Sequence, residues 1–319
     1  MRHYQVIIIG GGPAGAACAW RLIQDGIDCL ILDKQSFPRP KICAGWITPR
    51  VLRDLDCNPS EYPYDLTSFQ RIYINGFPIL RPGKQYAIRR VEFDNWLLER
   101  SGAPVIQHDV KEISKSEKGY MIDGEYSAEY LIGAGGTHCP VYHTFFSNDQ
   151  KRTGAQIVAL EEEFSTDWRD GGCRLWFLEN GLPGYAWYVP KEGGYLNIGV
   201  GGNAALLKQS GSNIQDHWDY LVQKLQDLGL VSQKEFQPEG YVYYLRGKQD
   251  PSQLGNAILV GDAAGLATLD MGEGIGPAVR SGLLAAESIL GISEYSLAAI
   301  PKCSFIPKIF QWAVNYSKI

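Results

Sequence analysis

Near the N-terminus, Gly10-Gly11-Gly12-Pro13-Ala14-Gly15 has the residue types and spacing of a phosphate cradle. In this G-x-G-x-x-G pattern Gly10 allows a tight turn. Gly12 lets the backbone approach a pyrophosphate with no Cβ in the way, and Gly15 lets a helix pack close to a strand. Pro13 and Ala14 open that helix, whose N-terminus offers unpaired N–H groups and partial positive charge to phosphates. Asp33 closes the next apolar run, where a carboxylate can accept both ribose hydroxyls, and Lys34 follows it. The glycines alone are weak evidence. Flanked by strand, helix and acid in register they point to a bound dinucleotide, with NAD and FAD both open.

A distant block separates the two. Ile258-Leu259-Val260-Gly261-Asp262-Ala263-Ala264-Gly265 is followed by Gly272-Glu273-Gly274-Ile275. A buried strand delivers Asp262 to a turn, where it can hold a ribityl hydroxyl. The N–H groups at the start of the next helix can face a flavin pyrimidine edge, where negative charge gathers on reduction. Together the two motifs predict FAD. Glu273 is read as a helix-start carboxylate favoured by the dipole.

The elements that must position these residues follow from periodicity. Tyr4–Ile9 and Ile27–Leu32 read as buried parallel strands around a helix over Pro13–Asp25, which Gly26 ends. Asn75-Gly76, between Arg71–Ile74 and Phe77–Leu80, predicts a hairpin, and Val91–Ser101 reads as a helix. The runs Gln156–Phe164, Arg174–Leu178, Tyr185–Pro190 and Tyr195–Val200 predict a second, antiparallel sheet, with a helix over Asn213–Leu228. Ala257–Val260 returns as a strand and Gly272–Leu290 as a helix. The fold class is α/β: a Rossmann-like FAD-binding domain with a second, mostly antiparallel β-sheet substrate domain. The FAD-binding domain is expected over 1–70, 84–150 and 247–295. The substrate domain takes a hairpin at 71–83 and a sheet over 151–246, and a terminal helix covers 296–319.

Composition excludes other classes. Of 319 residues 45% are hydrophobic and 20% charged, as in ordinary globular proteins, and the net charge of -5 gives no reason to expect nucleic acid. The seven cysteines form no C-x-x-C pair and the five histidines no H-x-x-x-H pair, so neither a disulfide framework nor a metal site is expected. The apolar run before Gly10 is too short for a secretory signal, and no stretch reaches the roughly 20 residues of a membrane span. The expected location is cytoplasmic, with peripheral membrane contact through the aromatic-rich tail 304–319 as an alternative to simple packing.

The chain resembles FAD proteins of the p-hydroxybenzoate hydroxylase fold, and within them the geranylgeranyl reductase family. Lys41-Ile42-Cys43-Ala44-Gly45 is similar to the family's K-x-C-G-G stretch beside the flavin. Arg90 with Phe93-Asp94 matches its R-x-x-F-D segment, and Gly184-Tyr185-Ala186-Trp187-Tyr188-Val189-Pro190 its G-Y-x-W-x-F-P strand lining the substrate cavity. The resemblance implies that Lys41, Cys43, Ala44 and Arg90 lie near the cofactor. It also implies that Cys43, Tyr185 and Trp187 face the reacting groups, although a buried thiol and two strand aromatics also suit an ordinary core. Three departures stand out: Gly135 replaces an aspartate in Gly133-Ala134-Gly135-Gly136, Leu269 replaces a proline, and the family's chains run longer at the C-terminus. His138 and His143, after the altered loop, are read as surface residues.

The resemblance implies reduction of carbon–carbon double bonds in an isoprenoid or similar apolar substrate. The electron donor, NAD(P)H or a ferredoxin-like protein, is undecided, and the missing aspartate argues against direct nicotinamide use. An aromatic hydroxylase of the same fold and a non-catalytic FAD-binding redox module are the alternatives.

Overall fold

The run Val6–Ile9 is buried throughout because the strand carrying it, Arg2–Ile9, lies in the middle of a mostly parallel sheet. The computed structural model describes residues 1–69, 71–79, 84–147, 152–168, 170–232, 235–248 and 251–304. The chain divides into two compact units, one of residues 1–39, 91–154 and 244–304, the other of residues 40–90 and 155–243.

In the first unit the strand order is Gln253–Leu254, Ala257–Leu259, Tyr126–Gly133, Arg2–Ile9, Cys29–Asp33, Val105–Gln107. All neighbours are parallel except the short first pair. Parallel sheets are covered on both faces, which explains why Val6–Ile9 and Leu30–Leu32 read as unbroken apolar runs. A meander, Ile113–Ser116 and Gly119–Ile122, joins the Tyr126 strand. Two helices, Pro13–Gln24 and Ile275–Ile289, pack through small residues. A Cβ at Gly282 would lie 2.1 Å from the Ala14 carbonyl oxygen, and one at Gly15 only 1.9 Å from that of Gly10.

The second unit is built on a sheet ordered Glu239–Tyr244, Gln156–Ser165, Tyr195–Asn203, Gly184–Lys191, Cys173–Phe177, Ile72–Ile74, Phe77–Ile79. Asn75 and Gly76 form the predicted hairpin turn, with φ of 49° and 84°. Side chains alternate between faces. One face carries Leu160, Tyr188, Leu196, Ile198 and Val200 and packs on Trp218, Leu221 and Leu225 of the helix Ile214–Asp227. Its partners by alternation, Glu161 and Glu163, Asn197 and Gly199, Tyr185, Trp187 and Lys191, take the other face.

The structure departs from expectation in two places. Residues 40–69, assigned by sequence to the first domain, cluster with the second unit. Trp46–Ile47 and Thr67–Phe69 pair with Gln85–Ala87 in a three-stranded sheet, a non-local pairing between strands too short to show a period. The second long helix starts at Ile275 rather than Gly272, because Gly272 is left-handed at φ +60°. Ahead of the tail, Leu297–Ala299 forms a 3-10 turn capped by the Ser296 side chain, and residues 305–319 of the expected terminal helix lie outside the described residues. The aromatic residues proposed to touch a membrane lie outside the described residues.

Candidate functional site

In the first unit the glycine motif forms a cradle of backbone groups. Gly10 has φ +110°, and a Cβ there would lie 2.4 Å from the Ala134 carbonyl oxygen, so the turn and the close neighbouring strand both demand glycine. Gly12 is the N-cap of the first helix, and Pro13 opens it. The first intrahelical bond runs from Ala16 N–H to the Gly12 carbonyl, so Ala14 and Gly15 keep amides without an intrahelical partner. Over Gly12 the nearest atom to a hypothetical Cβ is Arg39 Nη2, at 3.6 Å.

Arg39 was not singled out by spacing, since it sits in a proline-rich loop without periodicity. Its guanidinium lies 4.6 Å over the Phe37 ring and 3.8 Å from Asp94, and among the described residues its buried Nε has no hydrogen-bond partner. An arginine with an unsatisfied donor above a bare helix N-terminus suits a pyrophosphate. Asp33 is nearly buried and accepts the Gly11 N–H at 2.7 Å and the Gln35 N–H at 2.9 Å. These bonds aim its carboxylate and leave lone pairs for ribose hydroxyls. Lys34 beside it is exposed.

The second motif meets the first. A Cβ at Gly261 (φ +59°) would stand 3.1 Å from the Ala14 Cβ, and its N–H donates to Ser281 Oγ at 2.9 Å. One at Gly274, the N-cap of the helix Ile275–Ile289, would stand 3.3 Å from Asp262 Oδ1. Arg152 holds the intervening turn, donating to the carbonyls of Asp262 and Ala263, each at 3.0 Å. Its guanidinium lies 3.9 Å from the Tyr142 ring and 4.9 Å from that of Tyr244.

The helix start is less open than its glycines suggest. Glu273 Oε1 accepts the Gly276 N–H at 2.5 Å, and Pro277 has none to give, which leaves Ile275 to offer an amide. Burial pushes the Glu273 carboxyl up to about 7, helped by Asp270 and opposed by the Gly276 N–H. The two sequence departures are also built in. A Cβ at Gly135 would crowd Cys139, at 3.2 Å from its Cα and 3.4 Å from its Sγ. Leu269 donates its N–H to the Lys302 carbonyl at 2.8 Å, a bond proline cannot make. His138 and His143 are exposed.

In the second unit the Lys41–Gly45 loop is tied to the aromatic strand. Gly45 has φ +72°, and a Cβ there would strike the Ile88 carbonyl oxygen at 2.1 Å. Lys41 Nζ lies 3.0 Å from the centre of the Tyr241 ring, and half-buried Cys43 accepts the Gly45 N–H at its sulfur, 3.4 Å away. The buried Trp187 donates its indole N–H to Asn197 Oδ1 at 2.7 Å, and Asn197 Nδ2 reaches the Cys43 carbonyl at 3.5 Å. Trp187 therefore anchors the Cys43 loop. Tyr185 packs between Trp187 and Phe177, at 5.7 and 5.0 Å, its ring tilted against both. Ala44 is half-buried, while Arg90 is buried at the start of the helix Arg90–Ser101.

Beside this patch is a residue the sequence reading passed over. Glu161 is 4% exposed, and burial pushes its carboxyl up to about 8; Glu163 adds to the rise, while Lys191, Lys41 and Arg90 oppose it. The signal lay in the run Glu161-Glu162-Glu163 within a strand whose apolar residues Leu160 and Phe164 fix the core face, which turns Glu161 and Glu163 to the opposite one. Glu163 pairs with Lys191 and with Arg89.

Among the described residues no group of acidic, histidine or cysteine side chains could hold a metal ion, and no helix is long and apolar enough to cross a membrane.

Residues 3–57 match a family described as FAD binding domain. An uncharacterised protein of Methanosarcina barkeri is 35% identical over 303 residues, covering 91% of this chain and 75% of its own. A menaquinone reductase of Mycobacterium tuberculosis is 27% identical over 310 residues, 88% of this chain and 75% of its own. A geranylgeranyl diphosphate reductase of Rhodobacter capsulatus is 26% identical over 308 residues, 90% of this chain and 75% of its own. In fold, the chain matches a geranylgeranyl bacteriochlorophyll reductase-like protein of Thermoplasma acidophilum with a TM-score of 0.77 at 23% identity, over 93% of this chain and 81% of the other. The cradle residues fit the adenosine and pyrophosphate of FAD, and the chain belongs to the geranylgeranyl reductase family of FAD-dependent oxidoreductases.

Proposed function

We propose that this protein reduces carbon–carbon double bonds in an isoprenoid or similar apolar substrate. The observation that carries this reading is the aromatic patch of the second unit. Gly199 and Gly201 remove side chains from one strand, and the Trp187 indole lies over both: Cβ atoms there would meet it at 2.2 and 3.5 Å. With Tyr185 and Phe177 alongside, the face offers flat, polarisable surface suited to a hydrocarbon chain. The relatives' names support the same substrate class.

Bound FAD would supply the hydride. The protein's own residues orient and insulate. Asp33 would take the ribose hydroxyls, the Ala14 and Gly15 amides with Arg39 the pyrophosphate, and Asp262 the ribityl chain. Lys41, Cys43, Ala44 and Arg90 are proposed to line the cofactor, with Cys43, Tyr185 and Trp187 toward the substrate. Gly272 and Gly274 shape the turn before Ile275, whose amide is the one left to meet developing negative charge.

The test is anaerobic photoreduction of the purified holoprotein, followed by addition of geranylgeranyl diphosphate or of oxygen. Flavin reoxidation by the alkene with a saturated product supports the reductase. Oxygen-dependent hydroxylation of an aromatic compound instead supports a hydroxylase, and reoxidation by neither fits a redox module. Titration with NADH, NADPH and a reduced ferredoxin identifies the donor. Because Gly135 stands where the resembled family carries an aspartate associated with nicotinamide use, we expect the ferredoxin to reduce the flavin faster than either nicotinamide.

A further inference from the structure

We propose that Glu161 is the proton donor of the alkene reduction, an assignment that rests on the reductase reading above. Glu161, Gly199 and Trp187 face one another across three adjacent strands, Glu161 paired with Gly199 and Gly199 with Trp187. A Cβ at Gly199 would lie 2.8 Å from the Glu161 Cβ and 2.2 Å from Trp187 Cζ2, so acid and indole close over the glycine from either side. The Glu161 side chain therefore starts beside the indole of the aromatic patch proposed to take the hydrocarbon.

Its surroundings suit a group that gives up a proton and regains it. Burial holds the acid neutral at physiological pH, with a value of about 8. The charged groups facing it are Glu163 on its own strand, Lys191 on the Trp187 strand, Lys41 on the cysteine loop and Arg90 at the helix start. The three cations favour the carboxylate once it forms. Lys191 is 1% exposed and is ion-paired with Glu163, which Arg89 also engages, so the cation next to Glu161 on the Trp187 strand already has a carboxylate partner while Glu161 is neutral. Catalytic carboxyls raised toward neutrality in this way are matched to proton transfer near pH 7.

In the reaction one C=C π bond is lost and two C–H bonds form. One carbon receives hydride, and with it two electrons, from the reduced flavin. The other receives the Glu161 proton, and water then reprotonates the carboxylate. No reductant beyond FAD and its donor is required.

The experiment compares wild type and Glu161→Gln as FAD-loaded, photoreduced proteins with geranylgeranyl diphosphate. Wild-type single-turnover reoxidation should slow as pH rises through about 8, and E161Q should be on the order of 10²-fold slower with that pH dependence gone. FAD content and the rate of photoreduction should be unchanged. Infrared spectra of protein carrying ¹³C-labelled glutamate give a readout free of turnover: a protonated carboxyl band at pH 7 that titrates near 8 and is missing in E161Q. If E161Q fails to fold, the same spectra of Glu273→Gln, which removes the other raised carboxyl, keep the band near 8 assigned. An active wild type matched in rate and pH profile by E161Q, or a wild type with no such band, overturns the role of Glu161. A wild type that holds FAD, is photoreduced and reduces no polyprenyl alkene overturns the reductase reading, and this role with it.

Discussion

Two glycines on one strand separate the contribution of individual atoms. A methyl group at Gly199 would sit 2.2 Å from Trp187 Cζ2, whereas one at Gly201 meets the same ring at 3.5 Å, ordinary contact. Gly199→Ala must therefore displace the indole and break its 2.7 Å bond to Asn197, which also contacts the Cys43 carbonyl. Overpacking of this kind costs about 1–3 kcal/mol. The expected outcome is a lowered Tm, a changed near-ultraviolet circular dichroism band and at least tenfold slower reoxidation by the alkene. Gly201→Ala should match wild type in all three, and equal behaviour of the two variants would refute the crowding argument. Residues whose role is backbone geometry were legible from sequence, because Gly10, Gly12 and Gly15 declare themselves by spacing. Arg39 and Glu161 were not, since what marks them is burial among particular neighbours, and neither a proline-rich loop nor a run of glutamates states which carbon atoms will surround it.

Elements were legible where the pattern is local. The βαβ unit, the Asn75-Gly76 hairpin and the alternating strands each follow from a few consecutive residues, and the structure contains them within three residues at either end. The sheet of Trp46–Ile47, Thr67–Phe69 and Gln85–Ala87 was missed because strands of two or three residues have no measurable period and their pairing is non-local. The turn over Gly261–Ala264 was recognised, but not what holds it. Arg152 spans two successive carbonyls with two guanidinium nitrogens, a fork that lysine cannot imitate. Arg152→Lys should therefore weaken FAD binding about tenfold, roughly 1.4 kcal/mol, in a fluorescence titration. Unchanged affinity in a folded variant would mean that the turn needs no support. The two helices make a second test. Gly282→Ala places a methyl 2.1 Å from the Ala14 carbonyl, so it should force apart the helices whose N-termini carry the two motifs. Loss of both thermal stability and bound FAD is expected.

For the molecule as a whole, the two raised glutamates set how stability depends on pH. Glu161 and Glu273 are carried from 4.5 when unperturbed to about 8 and about 7, chiefly by burial. Between these limits the folded chain holds protons that the unfolded chain has released, so stability falls as pH rises. Each unit of such a shift corresponds to about 1.4 kcal/mol, and two groups shifted by several units outweigh most surface charge effects. The opposite contribution comes from Asp123, lowered by His108 and backbone N–H groups against the cost of burial, and from Asp170, lowered by the Gly172 amide and Arg174. Their stabilisation is present above the ordinary aspartate value and is lost only as pH falls through their depressed ones. His217, lowered by burial, adds stability as pH rises through the ordinary histidine range and so partly offsets the decline set by the glutamates there. Thermal unfolding of the FAD-loaded protein should show Tm declining from pH 5 to pH 8.5. Glu273→Gln should remove the part of that decline below about pH 7, and Glu161→Gln a part extending to about pH 8. This experiment involves no substrate, so it separates the protonation state of Glu161 from its use. A Tm that rises steadily from pH 5 to pH 8 in wild type and in both variants would show that neither carboxyl is neutral in the folded protein.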